Sequence, residues 1–478
     1  MSPASLPAAP ALAPPPVALA PSRREFDYLD KVCLAGTSRE FGTTSAPVWQ
    51  LGIRGRFDPD VAARALMACA RRYPAIVARA ISMEPGRSVD RAHRLAWETD
   101  RTPDWNRLFR VIDAREPGAL ESVRQSVFNN HLDLEVDYPV RITWARTAAD
   151  RGVLFVQQHH GLADGLAFFG FLQDFCRFYG AEPAGDAPEV EVLPKLAEEA
   201  VAESNRARRL RYRLLGFVQH VLDFWHMLWH PVDLLASNVE LDFSGDNRVQ
   251  HLEVDGAVVE RARLARQRAP ISLNDLLTGA LAMALARWTR EHDLPLRRFN
   301  LLVLADARPR GATVASFANH LCSAIAEFDL KRLARPLDFA RAAREQVGRQ
   351  MRRRLPVKKL LAEIAVARHV SVAFMRRLIY GSDRVPINLP FSNLVPISPA
   401  EPLHSDAWTA ESLRIMTPCL HGQGVNVTVI RYAGKLCFNF NHKASAVPTD
   451  DVQRLIGHFR EAIDEVFAQA ESLPERTR

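Results

Sequence analysis

The sequence has few cysteines and no large excess of charge of one sign, and each fact excludes a class of protein. Its 478 residues contain no CxxC pair and six scattered cysteines, Cys33, Cys69, Cys176, Cys322, Cys419 and Cys437. Such spacing indicates neither a zinc site nor a disulfide framework, and it fits reduced thiols in a cytoplasm. Lys and Arg exceed Asp and Glu by 62 to 55, which suits an anionic ligand but is too little to indicate nucleic acid binding. We therefore expect a cytoplasmic protein without metal or nucleic acid.

The sequence also lacks internal repeats and a recognisable secretory leader. Residues 1–22 contain seven prolines, a composition that predicts a disordered tail. A leader would place basic residues before an apolar run, but here Pro14, Pro15 and Pro16 interrupt the run and Arg23 and Arg24 follow it. We therefore expect no export.

Length and patterning predict two lobes of mixed helix and strand. A chain of 478 residues exceeds what one hydrophobic core normally serves. Residues 181–200 are rich in Ala, Pro and Glu, which is typical of a linker. We therefore predict a first lobe over 23–180, a linker with a basic, Trp-rich helical segment over 181–245, and a second lobe over 246–478, in an α/β (α+β) fold.

Periodicity places several elements in each predicted lobe. In the first, it predicts a helix from Asp58 to Tyr73, strands over 140–145 and 153–156 joined by a hairpin at 148–152, and a helix carrying Phe168 to Tyr179. In the second, it predicts a helix capped by Ser272 and Asp275, a strand over 301–304, a hairpin of 425–430 with 436–440, and a helix over 452–467.

The most specific pattern lies where the strand over 153–156 gives way to a helix. It reads His159-His160-Gly161-Leu162-Ala163-Asp164-Gly165. A histidine there can act as a general base, since its pKa can lie near neutrality. An aspartate in the turn can pair with an arginine, and Gly165 allows a close backbone approach or an unusual dihedral angle. The alternative for His160 is a buried structural role, and His159 either acts directly or packs and orients the site.

These residues resemble the HHxxxDG motif of the chloramphenicol-acetyltransferase-like superfamily, which includes peptide-synthetase condensation domains, plant BAHD acyltransferases and bacterial wax ester synthases. Similar segments stand at 139–141, 272–275 and 392–394. The resemblance implies two lobes forming a V, with an active-site tunnel between them. It also implies that His160 is catalytic and that Asp164 is structural and paired with an arginine. We expect that arginine to be Arg141, with Arg79 as the second choice.

The resemblance further implies substrate-binding residues and leaves the subfamily open. Ser392 and Asn393 would line the tunnel, although Ser and Asn also favour a simple turn. Asn319 and Arg308 would line the tunnel too, on weaker grounds. Tyr73 stands where condensation domains commonly have histidine, and the plant DFGWG signature is absent. No adenylation segment or carrier-protein motif is evident, so the resemblance favours a stand-alone enzyme.

Two basic stretches bear on partners. Arginines between 206 and 213 precede a Trp-containing segment that either packs on its own domain or lies on a membrane surface as a peripheral contact. Arg352, Arg353 and Arg354 belong to a second cluster, which is either a solvated helix face or the site for the donor's phosphates or for an acidic carrier protein.

These observations together predict an acyltransferase. It would move an acyl group from acyl-CoA or a phosphopantetheinyl carrier protein, as co-substrate and without a bound cofactor, to a hydroxyl acceptor. Amide formation is the alternative, and a non-catalytic binding protein of the same fold is a second alternative. We expect the protein to be a monomer.

Overall fold

The computed structural model describes residues 23–38, 43–100, 102–180, 206–233, 235, 245–308, 317–380, 389–397, 401–420 and 422–474. The predicted tail over 1–22 and the predicted linker over 181–200 lie outside these residues. Within them the chain forms a mixed α/β fold with three sheets and twelve α-helices. The fold class predicted from the sequence is confirmed.

The first half of the chain alternates short strands and helices. Its elements are β1 (Arg23–Glu25), α1 (Tyr28–Ala35), β2 (Val48–Gly55), α2 (Pro59–Arg72), β3 (Ala78–Ser82), β4 (Leu95–Thr99), α3 (Trp105–Leu108), β5 (Phe109–Asp113), α4 (Ala119–Phe128), β6 (Val140–Arg146), β7 (Arg151–Gln158) and α5 (Gly165–Gly180).

The second half follows with longer elements. They are α6 (Arg206–Trp229), β8 (Asn247–Asp255), α7 (Ala257–Arg268), α8 (Leu273–Glu291), β9 (Arg298–Asp306), β10 (Leu321–Asp329), α9 (Pro336–Arg352), α10 (Leu355–Ala367), α11 (Val372–Tyr380), β11 (Leu389–Asn393), β12 (Trp408–Met416), β13 (Val425–Tyr432), β14 (Lys435–Lys443) and α12 (Thr449–Glu471).

The first lobe is built on a five-stranded sheet in the order β12-β2-β7-β6-β5. Strands β6 and β7 form the predicted hairpin. Successive side chains of β7 point to opposite faces of the sheet; the face with Leu154 packs against helices α2 and α5, and the face with Phe155 is buried too. Leu154 of β7, Leu66 of α2 and Phe168 of α5 belong to one core. A smaller sheet in the order β1-β4-β3 lies in the same half of the chain.

The second lobe is built on a six-stranded sheet in the order β10-β9-β11-β13-β14-β8. Helices α8, α9 and α12 pack together over it. Leu281 of α8, Phe438 of β14 and Phe459 of α12 share the core, and the two phenylalanine rings meet edge to face at 5.0 Å. Ser272 caps α8 in a reciprocal capping box with Asp275, as predicted.

One strand crosses from the second half of the chain to the first lobe. Strand β12 pairs antiparallel with β2, from Trp408 opposite Gly55 to Met416 opposite Val48. The prediction that 246–478 form the second lobe alone therefore needs correction at this strand. Its apolar alternation predicts a half-buried strand but cannot say which sheet the strand joins.

Candidate active site

The residues of the HHxxxDG motif form a loop between the buried strand β7 and the helix α5. His159 directly follows β7, and Gly165 begins α5. The His159 amide donates to the Pro139 carbonyl oxygen at 2.7 Å, and the His160 amide donates to the Ser45 carbonyl oxygen at 2.7 Å. These bonds fix the point at which the chain leaves the sheet, so two adjacent imidazoles are held in different surroundings.

His160 is the more accessible of the two histidines. Burial lowers the pKa of its imidazole, while a hydrogen bond to its own backbone and the charge of Asp164 act in the opposite direction. Asn319 Nδ2, from the second lobe, lies 3.4 Å from His160 Nδ1. Among the described residues, none is hydrogen-bonded to Nε2. Nε2 is therefore open to a substrate, and in the tautomer with its lone pair free it can accept a proton.

His159 is fully buried and tied to the first lobe. Its Nδ1 accepts from the Gly161 amide at 3.2 Å, and its Nε2 lies 2.9 Å from Thr37 Oγ1. The Thr37 hydroxyl also accepts a hydrogen bond from the Ser45 amide and donates one to the Cys33 carbonyl oxygen. Burial, together with the neighbouring His160, lowers the pKa of His159 to about 3. Both ring nitrogens are occupied, which fits the predicted orienting role.

Asp164 connects the motif loop to the second lobe. Its Oδ2 lies 2.9 Å from Arg308 Nη1 and accepts the His320 amide at 2.7 Å. Its Oδ1 accepts from Arg308 Nη2 at 3.0 Å and from the Ala167 amide, in the first turn of α5, at 3.0 Å. Both charged side chains are 4% exposed. The carboxylate is therefore fully occupied with charge-assisted bonds and makes a structural contact between lobes.

The predicted arginine partners of Asp164 are wrong. Arg141 pairs with Asp137, four residues before it, at 2.9 Å. Arg79 pairs with Asp100 at 3.2 Å. Both arginines belong to the first lobe, whereas Asp164 faces the segment between β9 and β10 of the second lobe, which supplies Arg308.

Gly165 is the first residue of α5, and its φ lies outside the left-handed region. An unusual dihedral angle is therefore not the reason for glycine here. The other expectation, a close approach of backbone or substrate, stays a prediction.

The predicted substrate-binding residues divide into two groups. Asn319 meets the motif directly, because its Nδ2 donates to the His160 carbonyl oxygen at 2.9 Å and lies 3.4 Å from His160 Nδ1. Ser392 and Asn393 are not in a turn but in β11, which pairs with β9 and β13. The Asn393 side-chain Nδ2 donates to Asn274 Oδ1 at 3.0 Å. Contact of these residues with substrate stays a prediction.

The cationic cluster lies where α9 turns into α10. Arg352, Arg353 and Arg354 are all exposed, and Arg354 adopts a left-handed φ of 51° at the turn. At the other end of α10, the Ala367 carbonyl oxygen accepts from Lys31 of α1. Helix α1 precedes Thr37, the partner of His159, so α10 extends from the cluster towards the motif loop.

Sequence reasoning missed three hydroxyl residues beside the motif. Thr37 holds His159, while Thr44 and Ser45 carry buried hydroxyl oxygens that make no hydrogen bond to any residue the structure describes. The only sequence signal is a cluster of small polar residues before β2, which equally suits a loop. Among the described residues, no group of three His, Cys, Asp or Glu side chains could hold a metal ion.

Two family models match the chain. The condensation domain model matches residues 48–296, and the WS/DGAT C-terminal domain model matches residues 317–466. Two uncharacterized proteins of Mycobacterium tuberculosis are each 26% identical over 245 residues, which is 51% of this chain and 52% of theirs. The chain thus spans about half the length of the curated relatives it matches.

Solved structures share the fold at low sequence identity. The first condensation domain of the calcium-dependent antibiotic synthetase, with a substrate analogue, is 16% identical at a TM-score of 0.66, covering 95% of this chain and 99% of its own. The condensation domain from Monacolin K polyketide synthase is 12% identical at 0.64, covering 95% and 98%. SgcC5 from Streptomyces globisporus is 13% identical at 0.62, covering 94% and 100%. These neighbours are two-lobed, in agreement with the two large sheets.

Proposed function

The chain belongs to the condensation domain family, and on that premise we propose that it transfers an acyl group from a CoA or carrier-protein thioester to a hydroxyl acceptor. Membership supports acyltransferase chemistry in general. The observation that carries the proposal is His160, which lies where the two lobes meet, is held there by Asn319, and has no hydrogen bond from Nε2 to any described residue.

In the proposed reaction, His160 Nε2 takes the hydroxyl proton of the acceptor. The acceptor oxygen forms a bond to the thioester carbonyl carbon, giving a tetrahedral oxyanion. Collapse of that intermediate breaks the carbon–sulfur bond, and the imidazolium returns its proton to the departing thiolate. The products are an ester and a free thiol. Asn319 acts as a positioning residue, because its bond to the His160 carbonyl holds the loop against the second lobe.

The oxyanion needs hydrogen-bond donors. The hydroxyls of Thr44 and Ser45 are buried without a hydrogen-bond partner among the described residues, and the Ser45 carbonyl oxygen accepts from the His160 amide. A buried hydroxyl without a partner costs free energy in the absence of a ligand. We therefore assign these two hydroxyls as candidate donors to the oxyanion.

A hydroxyl acceptor is favoured over an amine by two comparisons. The C-terminal part of the chain matches the WS/DGAT model, which is associated with ester synthesis. SgcC5, with the same fold, is in complex with a naphthyl ethanediol, which is an alcohol. Amide formation remains the alternative, since other neighbours are condensation domains of a peptide antibiotic synthetase.

The donor would bind at the cationic cluster at the turn between α9 and α10. Three exposed arginines, Arg352 to Arg354, suit the phosphates of CoA or the acidic surface of a carrier protein. Helix α10, of 13 residues, is about 20 Å long. A donor bound at the cluster would therefore need a long flexible arm to reach the motif loop, as pantetheine provides.

The experiment is mass spectrometry of products after incubation with acyl-CoAs or acyl carrier proteins and mixed alcohols and amines. We expect an ester together with stoichiometric free thiol. An amide product would replace the acceptor assignment by the alternative. If no acyl transfer occurs with any donor, the catalytic proposal is wrong.

A further inference from the structure

Helix α6 presents an apolar face to the outside of the protein. Eleven of its large apolar side chains are 40% to 75% exposed, namely Leu210, Leu214, Leu215, Phe217, Val218, Val221, Leu222, Phe224, Trp225, Leu228 and Trp229. At about 100° per residue, these positions cover about half of the helix circumference. Asp223 is the only charged Asp, Glu, Lys or Arg from Leu214 to Trp229, and it lies on the opposite half.

The polar face of α6 is the face that packs on the protein. Asp223 Oδ2 accepts from Lys359 Nζ of α10 at 2.7 Å. His226 Nε2 lies 3.0 Å from the Glu327 carboxylate of β10. A side chain at Gly216 would clash with the backbone of α10. The helix is therefore docked by its polar side, where one ion pair and one hydrogen bond hold it.

This orientation is the reverse of the usual one. A surface helix of a globular protein normally turns its apolar stripe towards the core and its charged face towards water. A contiguous exposed apolar surface marks a site where something else binds. Within the part of the chain that the structure describes, no segment covers this face.

We propose that α6 lies flat on an anionic lipid surface, with its apolar half inserted among the acyl chains. Aromatic residues occupy this half, including Trp225 and Trp229, which prefer the boundary between headgroups and hydrocarbon. Exposed Arg209 and Arg211 stand near the amino end of the helix, where they suit lipid phosphates. The 24 residues of α6 would lie about 36 Å along the surface.

A second cationic segment adjoins the same end of α6. Lys358 Nζ lies 5.5 Å from the centre of the Tyr212 ring, and Lys358 comes one helical turn after Arg354. The exposed arginines 352–354 therefore lie close to the amino-terminal part of α6 and add to its positive charge. Among the described residues, no single helix is long and apolar enough to span a membrane.

The experiment is flotation of the full chain with vesicles of phosphatidylcholine mixed with phosphatidylglycerol, in the absence of acyl donor. Because no substrate is present, the result does not depend on the catalytic proposal. We expect binding that weakens in vesicles of phosphatidylcholine alone and at high salt. The double variant Leu222→Glu with Trp225→Glu should bind at least about tenfold more weakly, since two half-exposed side chains lose their burial in lipid.

The matched control is Val136→Glu with Leu264→Glu, two apolar residues that are 50% and 47% exposed on other elements. It adds the same charge and should bind as the original protein does. Lipids with brominated acyl chains should quench the tryptophan fluorescence of the original protein more strongly than that of the Trp225→Phe, Trp229→Phe variant. Failure to float at low salt, or equal binding of both glutamate variants, would overturn the proposal. So would a dimer in light scattering that the Leu222→Glu, Trp225→Glu variant dissociates without any vesicle binding.

Discussion

The Asp164 carboxylate and the Arg308 guanidinium, 144 residues apart in the chain, form a two-pronged buried ion pair at 2.9 and 3.0 Å. Asp164 belongs to the loop that carries His160, and Arg308 belongs to the second lobe. The same loop is also held by Asn319, whose amide donates to the His160 carbonyl oxygen. The position of the proposed base therefore depends on contacts between the lobes.

Loss of Asp164 should destabilise the protein as well as reduce its activity. Asp164→Ala leaves Arg308 buried without its main partner, which costs about 3 to 5 kcal/mol for a buried pair. We expect a lower melting temperature in thermal unfolding, a lower midpoint in denaturant unfolding, and a lower yield of soluble protein on expression. If Asp164→Ala has normal stability and loses only activity, the aspartate has a catalytic role instead.

A double-mutant cycle can identify the arginine partner. Asp164→Ala combined with Arg308→Ala should show a coupling energy of about 1 to 3 kcal/mol, because each removes the same interaction. The matched control combines Asp164→Ala with Arg141→Ala, which pairs with Asp137, and its two effects should add. Coupling to Arg141 instead of Arg308 would contradict the assignment.

The pH dependence of the reaction follows from the environment of His160. Burial holds the pKa of this imidazole below its ordinary value of 6.5, and a general base acts in its neutral form. As the pH falls, kcat/KM should therefore stay level down to about 6.5 and decrease only at lower pH. The measurement is kcat/KM as a function of pH, with a control that the enzyme is not inactivated at each pH. A decrease that begins well above 6.5 would mean that another group is the base.

The oxyanion assignment is tested by the hydroxyls beside the motif. Removal of one donor to an oxyanion typically lowers kcat about 100-fold to 1,000-fold. Ser45→Ala or Thr44→Ala should lower kcat to that extent with little change in KM. Ser82→Ala, whose hydroxyl is bonded to the Glu84 backbone, serves as the control. If both Ser45→Ala and Thr44→Ala keep full kcat, the oxyanion is stabilised by other groups.

Reversal of charge at the turn between α9 and α10 tests the donor site. Replacing Arg352, Arg353 and Arg354 by Glu should raise the donor KM and flatten its salt dependence, with little change in kcat, because the cluster is remote from the carbonyl. The assay contains no lipid, so membrane binding does not contribute. A short acyl-pantetheine, which lacks phosphates and a protein surface, should react equally with both proteins. Unchanged use of the full donor would show that the cluster is a solvated surface.

Local elements were predictable because their signals are local. The alternation of β6, the continuous apolar run of β7, the spacing of Phe168 to Tyr179 and the Ser272 cap each depend on residues close in sequence. Their predicted positions agree with the structure to within a few residues. The motif loop was found for the same reason, since its strand, histidines and helix are contiguous.

Long-range pairings were not predictable from one sequence. Nothing near Asp164 indicates that its partner stands 144 residues later, and nothing in β12 indicates that it joins the sheet of the first lobe. Ser392 and Asn393 favour turns by residue type, yet pairing with Thr428 and Val429 of β13 holds them in a strand. In each case the outcome is decided by which surfaces meet in the folded chain, and residue type does not report that.

The most direct test of His160 as the general base is the kcat of the His160→Ala variant for formation of the ester product. If His160 is the general base, His160→Ala should lower kcat by about 100-fold to 10,000-fold, the usual contribution of such a base, with an unchanged melting temperature. His159→Ala, which removes a buried ring bonded to Thr37, should lose less activity and more stability. A His160→Ala protein that folds normally and retains the turnover of the original would contradict the account.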